Sequence, residues 1–250
     1  MSRAPREPVF YFSLRSPYSW LAYRDLLARY PDVAERARWE PFWEPDESWR
    51  RTLTEAGGRF HYVDMSRAKA MYILQDVRRL AQERGLAISW PIDRAPRWEV
   101  AHLAFLRARR CGAGRPFVDA AYRARWEQGR DISDPATMGE IAAELGLDPQ
   151  AHACAADDPE LRQEALEALL ALDRDGVFGV PFFTLGRDRF WGLDRLANFA
   201  AAVRATPAAV ESPASVEAAP VEQEDRVEAA REPDELVRPG GDAGHAGGCG

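Results

Sequence analysis

The sequence is poor in cysteine, in lysine and in long apolar runs. Its three cysteines, Cys111, Cys154 and Cys249, are widely spaced and form no C-x-x-C pair. That argues against a disulfide framework and a zinc site, and it points to a reducing, cytoplasmic compartment. No stretch approaches the roughly 20 apolar residues of a membrane span, and the opening MSRAPREPVFYF has no apolar run leading to a small-residue cleavage site. Neither a membrane partner nor a secretory signal is therefore expected. Lys69 is the single lysine among 33 basic residues, which reads as a compositional bias toward arginine. Net charge is also absent from most of the chain. Residues 205–250 hold ten acidic residues against Arg226, Arg231 and Arg238, which accounts for the whole −7. A neutral body argues against a nucleic-acid partner. The terminal stretch has no aromatic residue and five prolines, too little to offset its ordering entropy, so residues 205–250 are expected to form a disordered acidic tail.

What is present is organised around Val9 to Leu27. Val9-Phe10-Tyr11-Phe12 is short and aromatic enough to be a buried strand. Ser16-Pro17 follows, with Ser favoured as an N-cap and Pro at the first helical position. Trp20, Tyr23, Leu27 and Tyr30 then recur at helical spacing. Ser16 should therefore sit where a strand gives way to the positive end of a helix dipole, with the N–H groups of Tyr18 and Ser19 pointing the same way. That arrangement suits an anion, with the Ser16, Ser13 and Ser19 hydroxyls at hand. The same pattern also describes an ordinary capped helix.

Residues 37–43 alternate as a second strand, and Pro41 suggests that it is an edge. Glu44 to Asp64 has no clean period and reads as a long loop. Helical periodicity then dominates. A helix over 70–81 stops at Gly85, Trp98 to Cys111 forms another, and Pro116 starts one that ends at Gly129. Asp134-Pro135 and Asp158-Pro159 open two more. Strand signals return at Val177 to Leu185 and 189–191 as a hairpin, and a last helix runs from Leu193 to Val203. The plan is β-α-β, a helical block, then β-β-α.

These pieces resemble the DsbA superfamily of thioredoxin-fold proteins, and most closely the 2-hydroxychromene-2-carboxylate isomerases and kappa-class glutathione transferases. The resembling residues are Ser16-Pro17-Tyr18-Ser19-Trp20-Leu21-Ala22, Ala68-Lys69-Ala70 with Tyr72, Gly179-Val180-Pro181-Phe182, and Phe190-Trp191-Gly192-Leu193-Asp194-Arg195. The resemblance implies an α/β, thioredoxin-like domain built from residues 8–64 and 176–204. A helical insertion over 65–175 would interrupt it. Where redox-active relatives carry C-x-x-C, this chain has Ser16-Pro17-Tyr18-Ser19, which excludes disulfide exchange by sulfurs of its own there.

The family implies glutathione, or another low-molecular-weight thiol, as cofactor. A helix N-terminus lowers a thiol pKa by one to a few units, and the Ser16 hydroxyl would donate to the thiolate. In relatives a cis proline faces this helix. Pro181 would take that place, with the Val180 backbone pairing the cysteinyl part. Trp191, Gly192, Leu193 and Asp194 would receive the glutamyl end. In the isomerases the loop after the second strand carries a Lys and a Gly-Asn-Arg that contact the substrate acid. Here Leu53-Thr54-Glu55-Ala56-Gly57-Gly58-Arg59 keeps only Arg59. Trp43, Trp49, Phe60, Tyr62, Trp90 and Trp98 are candidates either for an apolar substrate pocket or for the core. His61 and His102 stand alone and read as core or surface.

The activity implied is cis–trans isomerisation of a small conjugated substrate, with a possible homodimer as assembly. A conjugating transferase is the alternative enzyme. A DsbA-family oxidoreductase relative lacking its cysteines and a non-catalytic thioredoxin-fold binding protein are two others.

Overall fold

The computed structural model describes residues 7–62, 65–94 and 96–206. The expected acidic tail, with His245 and Cys249, lies outside the described residues, apart from Ala205 and Thr206 at its start. The central strand β1 (Pro8–Phe12) is buried along its whole length, which is why its sequence is a continuous apolar run and not an alternating one. β1 pairs parallel with β2 (Arg38–Pro41) and antiparallel with β3 (Phe182–Leu185), and β3 pairs antiparallel with β4 (Asp188–Trp191). The order β2-β1-β3-β4, with helix α1 (Pro17–Arg29) crossing from β1 to β2, is the thioredoxin-like plan. β2 is an edge, as Pro41 suggested. Across the sheet Phe10 pairs with Trp39 on one side and Phe183 on the other. The Phe10 and Phe183 rings stack at 4.9 Å, and Phe183 stacks on Phe199 of the last helix at 4.8 Å. Such ring pairs add to the burial term that holds a helix onto a sheet.

Helices fill the connection from β2 to β3: α3 (Glu47–Glu55), α4 (Arg67–Glu83), α5 (Trp98–Arg110), α6 (Gly114–Tyr122), α7 (Pro135–Glu144), α8 (Pro149–Ala153) and α9 (Pro159–Asp175). A short α2 (Pro31–Arg36) precedes β2. Several expectations are corrected. Glu44 to Asp64 is not one loop, because Asp46 caps α3 by accepting from the Trp49 N–H at 2.8 Å. Only Trp49 and Leu53 of α3 face inward, a stripe too short to register as a period. The helix expected up to Gly129 gives way after Tyr122 to a π-helical turn, Arg123–Glu127. α4 is amphipathic, with Val77 and Ala81 buried and Ile73 and Leu80 half-buried against the core, while Met71, Tyr72 and Leu74 are exposed.

The hairpin begins at Phe182, since Val177 to Pro181 forms an irregular approach. The last helix, α10 (Leu196–Ala205), is preceded by a 3₁₀ turn over Leu193–Arg195.

The junction of β1 and α1 is held from inside the helical block. His102 of α5 has no exposure. Its Nε2 accepts from the Leu14 N–H at 3.1 Å, and its Nδ1–H donates to the Trp98 carbonyl at 2.6 Å. Those two partners set the tautomer as Nδ1–H, and the ring must stay neutral to accept. Burial, reinforced by the Arg125 and Arg15 charges, lowers its pKa from 6.5 to about 4.

Unfolded, this histidine takes a proton at its ordinary value. Between pH 6.5 and about 4 the unfolded chain therefore binds more protons, and stability falls as pH falls through that window. We expect His102 to account for a loss of about 3 kcal/mol between pH 7 and 4. Denaturant melts across this range should show a shallower slope in His102→Gln, which keeps a donor and an acceptor without a titrating group.

Candidate active site

The turn from β1 into α1 has its backbone groups paired below the surface. The Ser16 N–H donates to the Ser13 carbonyl at 3.1 Å, which also accepts from the Tyr122 hydroxyl at 3.1 Å. The Ser13 N–H donates to Ser19 Oγ at 3.2 Å, and Ser19 is fully buried. Of the three hydroxyls read as candidates, Ser19 is thus committed to the interior. Ser16 caps α1 by accepting from the Ser19 N–H at 3.2 Å. Among the described residues its own proton has no acceptor, so it is free to donate into the cleft that Ser16 lines. Taking up the Ser19 N–H leaves that of Tyr18 as the donor of the pair not used by the cap. No acidic residue stands in the first turn of α1, so no charge on the helix opposes an anion at its positive end.

Two clefts meet beside this turn. One, of about 620 Å³, is lined by Ser13, Ser16, Tyr18, Trp90, Val180 and Trp191, among others. The adjoining one, of about 560 Å³, is lined by Tyr18, Val180, Pro181, Trp191, Gly192, Leu193 and Asp194. Tyr18, Val180 and Trp191 belong to both and form the partition. The Val180–Pro181 peptide is cis. The residues singled out from the sequence, Ser16, Trp90, Val180, Pro181, Trp191, Gly192, Leu193 and Asp194, therefore come together around one partition. Leu193 and Asp194 open a 3₁₀ turn, not an α-helix as expected. Arg59 lines neither cleft; its backbone N–H donates to Asp173 at 3.0 Å. Among the aromatic candidates, Tyr62 and Trp90 line the Ser16 cleft. Trp43, Trp49 and Trp98 are buried in the core, and Phe60 packs on Phe42 at 5.3 Å.

Several groups at the clefts escaped the sequence reading. The Tyr18 hydroxyl donates to Asp76 of α4 at 2.7 Å, tying the partition to the opposite wall. Burial, together with that bond, pushes the Tyr18 phenol well up, so it stays protonated. Burial alone would raise Asp76, but hydrogen bonds from Tyr18, Arg79 and Tyr72 hold its carboxyl below the usual range. In the Ser16 cleft, Arg15 pairs with Glu44, and Arg125 pairs with Asp93. His61 also lines it, with Nε2 2.7 Å from Asp173. In the second cleft Arg84 clasps Asp25 with two bonds, at 2.9 and 2.8 Å. Spacing offered a signal only for the α4 set of Tyr72, Asp76 and Arg79, which lie three or four residues apart on one helix face. The other pairs join distant elements.

A thioredoxin-like sheet with a helix N-terminus at a cleft defines the class of protein. The chain belongs to the DSBA-like thioredoxin domain family, whose model matches residues 9–204. Over 189 residues it is 29% identical to a 2-hydroxychromene-2-carboxylate isomerase of Sphingobium xenophagum, covering 75% of this chain and 92% of that one. The solved structure of a 2-hydroxychromene-2-carboxylate isomerase superposes with a TM-score of 0.61 at 22% identity, over 79% of this chain and 94% of that one. A cytosolic disulfide reductase, DsbM of Pseudomonas aeruginosa, solved with GSH, gives 0.52 at 20% identity over 79% and 97%. These structural likenesses establish the fold. Among the described residues no helix is long and apolar enough to cross a membrane.

Because Ser16 Oγ is the cap of α1, Ser16→Ala should lower stability by about 1 kcal/mol. Ser16→Asp, an equally good cap, should restore most of it. Chemical denaturation of the three chains checks this.

Proposed function

We propose that the chain is a glutathione-dependent cis–trans isomerase of a small conjugated substrate. The observation that carries this reading is the Ser16 hydroxyl, capping α1 with its proton free, on a cleft that joins a second one at Val180. The residues present fit glutathione: a helix N-terminus with no acidic residue in its first turn, the Ser16 hydroxyl, and Val180 lining both clefts near the Gly192–Asp194 turn. In this reading Ser16 and the Tyr18 N–H hold the sulfur as thiolate. The Val180 backbone pairs the cysteinyl amide, and Asp194 meets the glutamyl ammonium. The chemistry glutathione supplies when bound is reversible thiolate addition to a conjugated double bond, which lets that bond rotate as a single bond before elimination restores it.

What this chain contributes is pKa control and orientation. Ser16 donates to the sulfur anion, and the dipole of α1 favours its charge. The aromatic wall of the Ser16 cleft, including Tyr62 and Trp90, offers a dry face to a flat conjugated substrate. The 29% identity to the Sphingobium xenophagum isomerase over nearly all of that protein's length supports an isomerisation over a conjugation.

Calorimetry with millimolar glutathione should show binding to the wild-type chain. Ser16→Asp, folded but with a carboxylate at the sulfur's place, should weaken it at least about tenfold. With 2-hydroxychromene-2-carboxylate as test substrate, mass spectrometry should find isomerised product and no stable thioether. Absence of glutathione binding, or accumulation of the adduct, rejects the isomerase reading.

A further inference from the structure

Arg125 sits on the π-helical turn after α6, in an environment unlike that of any surface arginine. Its side chain is only 3% exposed. Its guanidinium lies between two indoles, 5.0 Å from Trp98 and 4.8 Å from Trp126. Its two terminal nitrogens donate to the two oxygens of Asp93 at 3.0 and 2.8 Å. Its Nε is buried with no partner among the described residues. A π-turn inserts an extra residue into the helical ladder and re-aims the side chains around it, a distortion frequent at functional sites. Here it leaves a dehydrated, flat cation on the wall of the Ser16 cleft, between aromatic faces.

The partner is held quite differently. Asp93 lies on the irregular connection between α4 and α5, with its side chain 26% exposed. Both Asp93 and Arg125 line the Ser16 cleft, together with Trp90 and Trp126, whose rings meet edge to face at 5.7 Å. The buried partner is thus fixed by stacking, and the exposed partner rides on a connecting segment. The remaining cations of this cleft are not equivalent. Arg15 is closed by Glu44, and Lys69 is exposed on α4.

We propose that Asp93 is a displaceable internal anion: the carboxylate of a planar aromatic acid takes its place on Arg125, with the acid's ring against Trp90 and Trp126. This deepens the isomerase reading and rests on it for the acid's being a substrate. Exchanging one carboxylate for another conserves both charge-assisted hydrogen bonds, while Asp93 regains its hydration. A neutral analogue cannot make the exchange, because displacing Asp93 would leave a buried guanidinium without a counter-charge. The cleft therefore discriminates by charge, and Arg125 with Asp93 determines that specificity.

The test is calorimetry on the full chain with trans-cinnamate and with its uncharged amide, in the presence and absence of glutathione. Wild type should bind cinnamate at least about tenfold more tightly than the amide. Asp93→Asn, at a partly exposed site, should tighten cinnamate binding several-fold without changing glutathione affinity, and cinnamate should raise its melting temperature more than that of wild type. Arg125→Lys, which keeps the charge without the fork, should lose most of the cinnamate affinity. If that variant does not fold, Asp93→Asn decides alone. No cinnamate binding, equal binding of acid and amide, or an Asp93→Asn affinity no tighter than wild type overturns the proposal. Loss of glutathione binding with cinnamate discrimination intact would instead overturn the isomerase reading and leave the carboxylate site standing.

Discussion

The hydrogen bond from the Leu14 N–H to His102 is the constraint on which the site depends. It reaches from the helical block to the first backbone groups of the β1–α1 turn, and it works only while the imidazole is neutral. Around it, Ser13 engages Ser19 and Tyr122, so the turn is pinned on three sides by buried groups. A turn so fixed presents the Ser16 hydroxyl and the N-terminus of α1 to the cleft. The helices inserted between β2 and β3 are therefore more than an appendage to the sheet: α5 and α6 supply the residues that fix the turn into α1.

Electrostatics near the turn follow one pattern. The ionised groups at the clefts mostly stand in pairs: Arg15 with Glu44, Arg125 with Asp93, and Arg84 with Asp25. Paired charges leave little net field to compete with the partial positive charge at the start of α1, which is worth the most close to the first turn. The partition residue Tyr18 is likewise tied off, its phenol held protonated by burial and by Asp76. A bound thiolate would thus meet a neutral, preorganised surround in which the helix end and the Ser16 hydroxyl dominate.

The absence of sulfur from Ser16-Pro17-Tyr18-Ser19 changes what this surround can be used for. In the proposed reading, the dipole that would lower the pKa of a cysteine placed at this helix start serves a visiting thiol instead. In the proposed reading Arg125, over the Trp98 and Trp126 rings, would give the Ser16 cleft a second polar anchor.

Much of this was legible in the residues, for a physical reason. Strand, cap and helix signals are local, so Phe10 to Phe12, Ser16-Pro17, and the Asp-Pro starts at 134 and 158 announced their elements. The order of those elements, with motifs at both ends of a helical block, was enough to expect the thioredoxin-like plan. The missed helix at 47–55 has just two inward residues, and the π-turn at 123–127 leaves no periodic mark, so neither carries a readable signal. What only the tertiary structure decided were the pairings between distant segments: Leu14 with His102, Tyr18 with Asp76, Arg125 with Asp93, and Arg59 turned away to Asp173. Such pairs depend on how the helices pack over the sheet. No spacing along the chain encodes that, because each partner's sequence neighbourhood is the same whether or not the other is near.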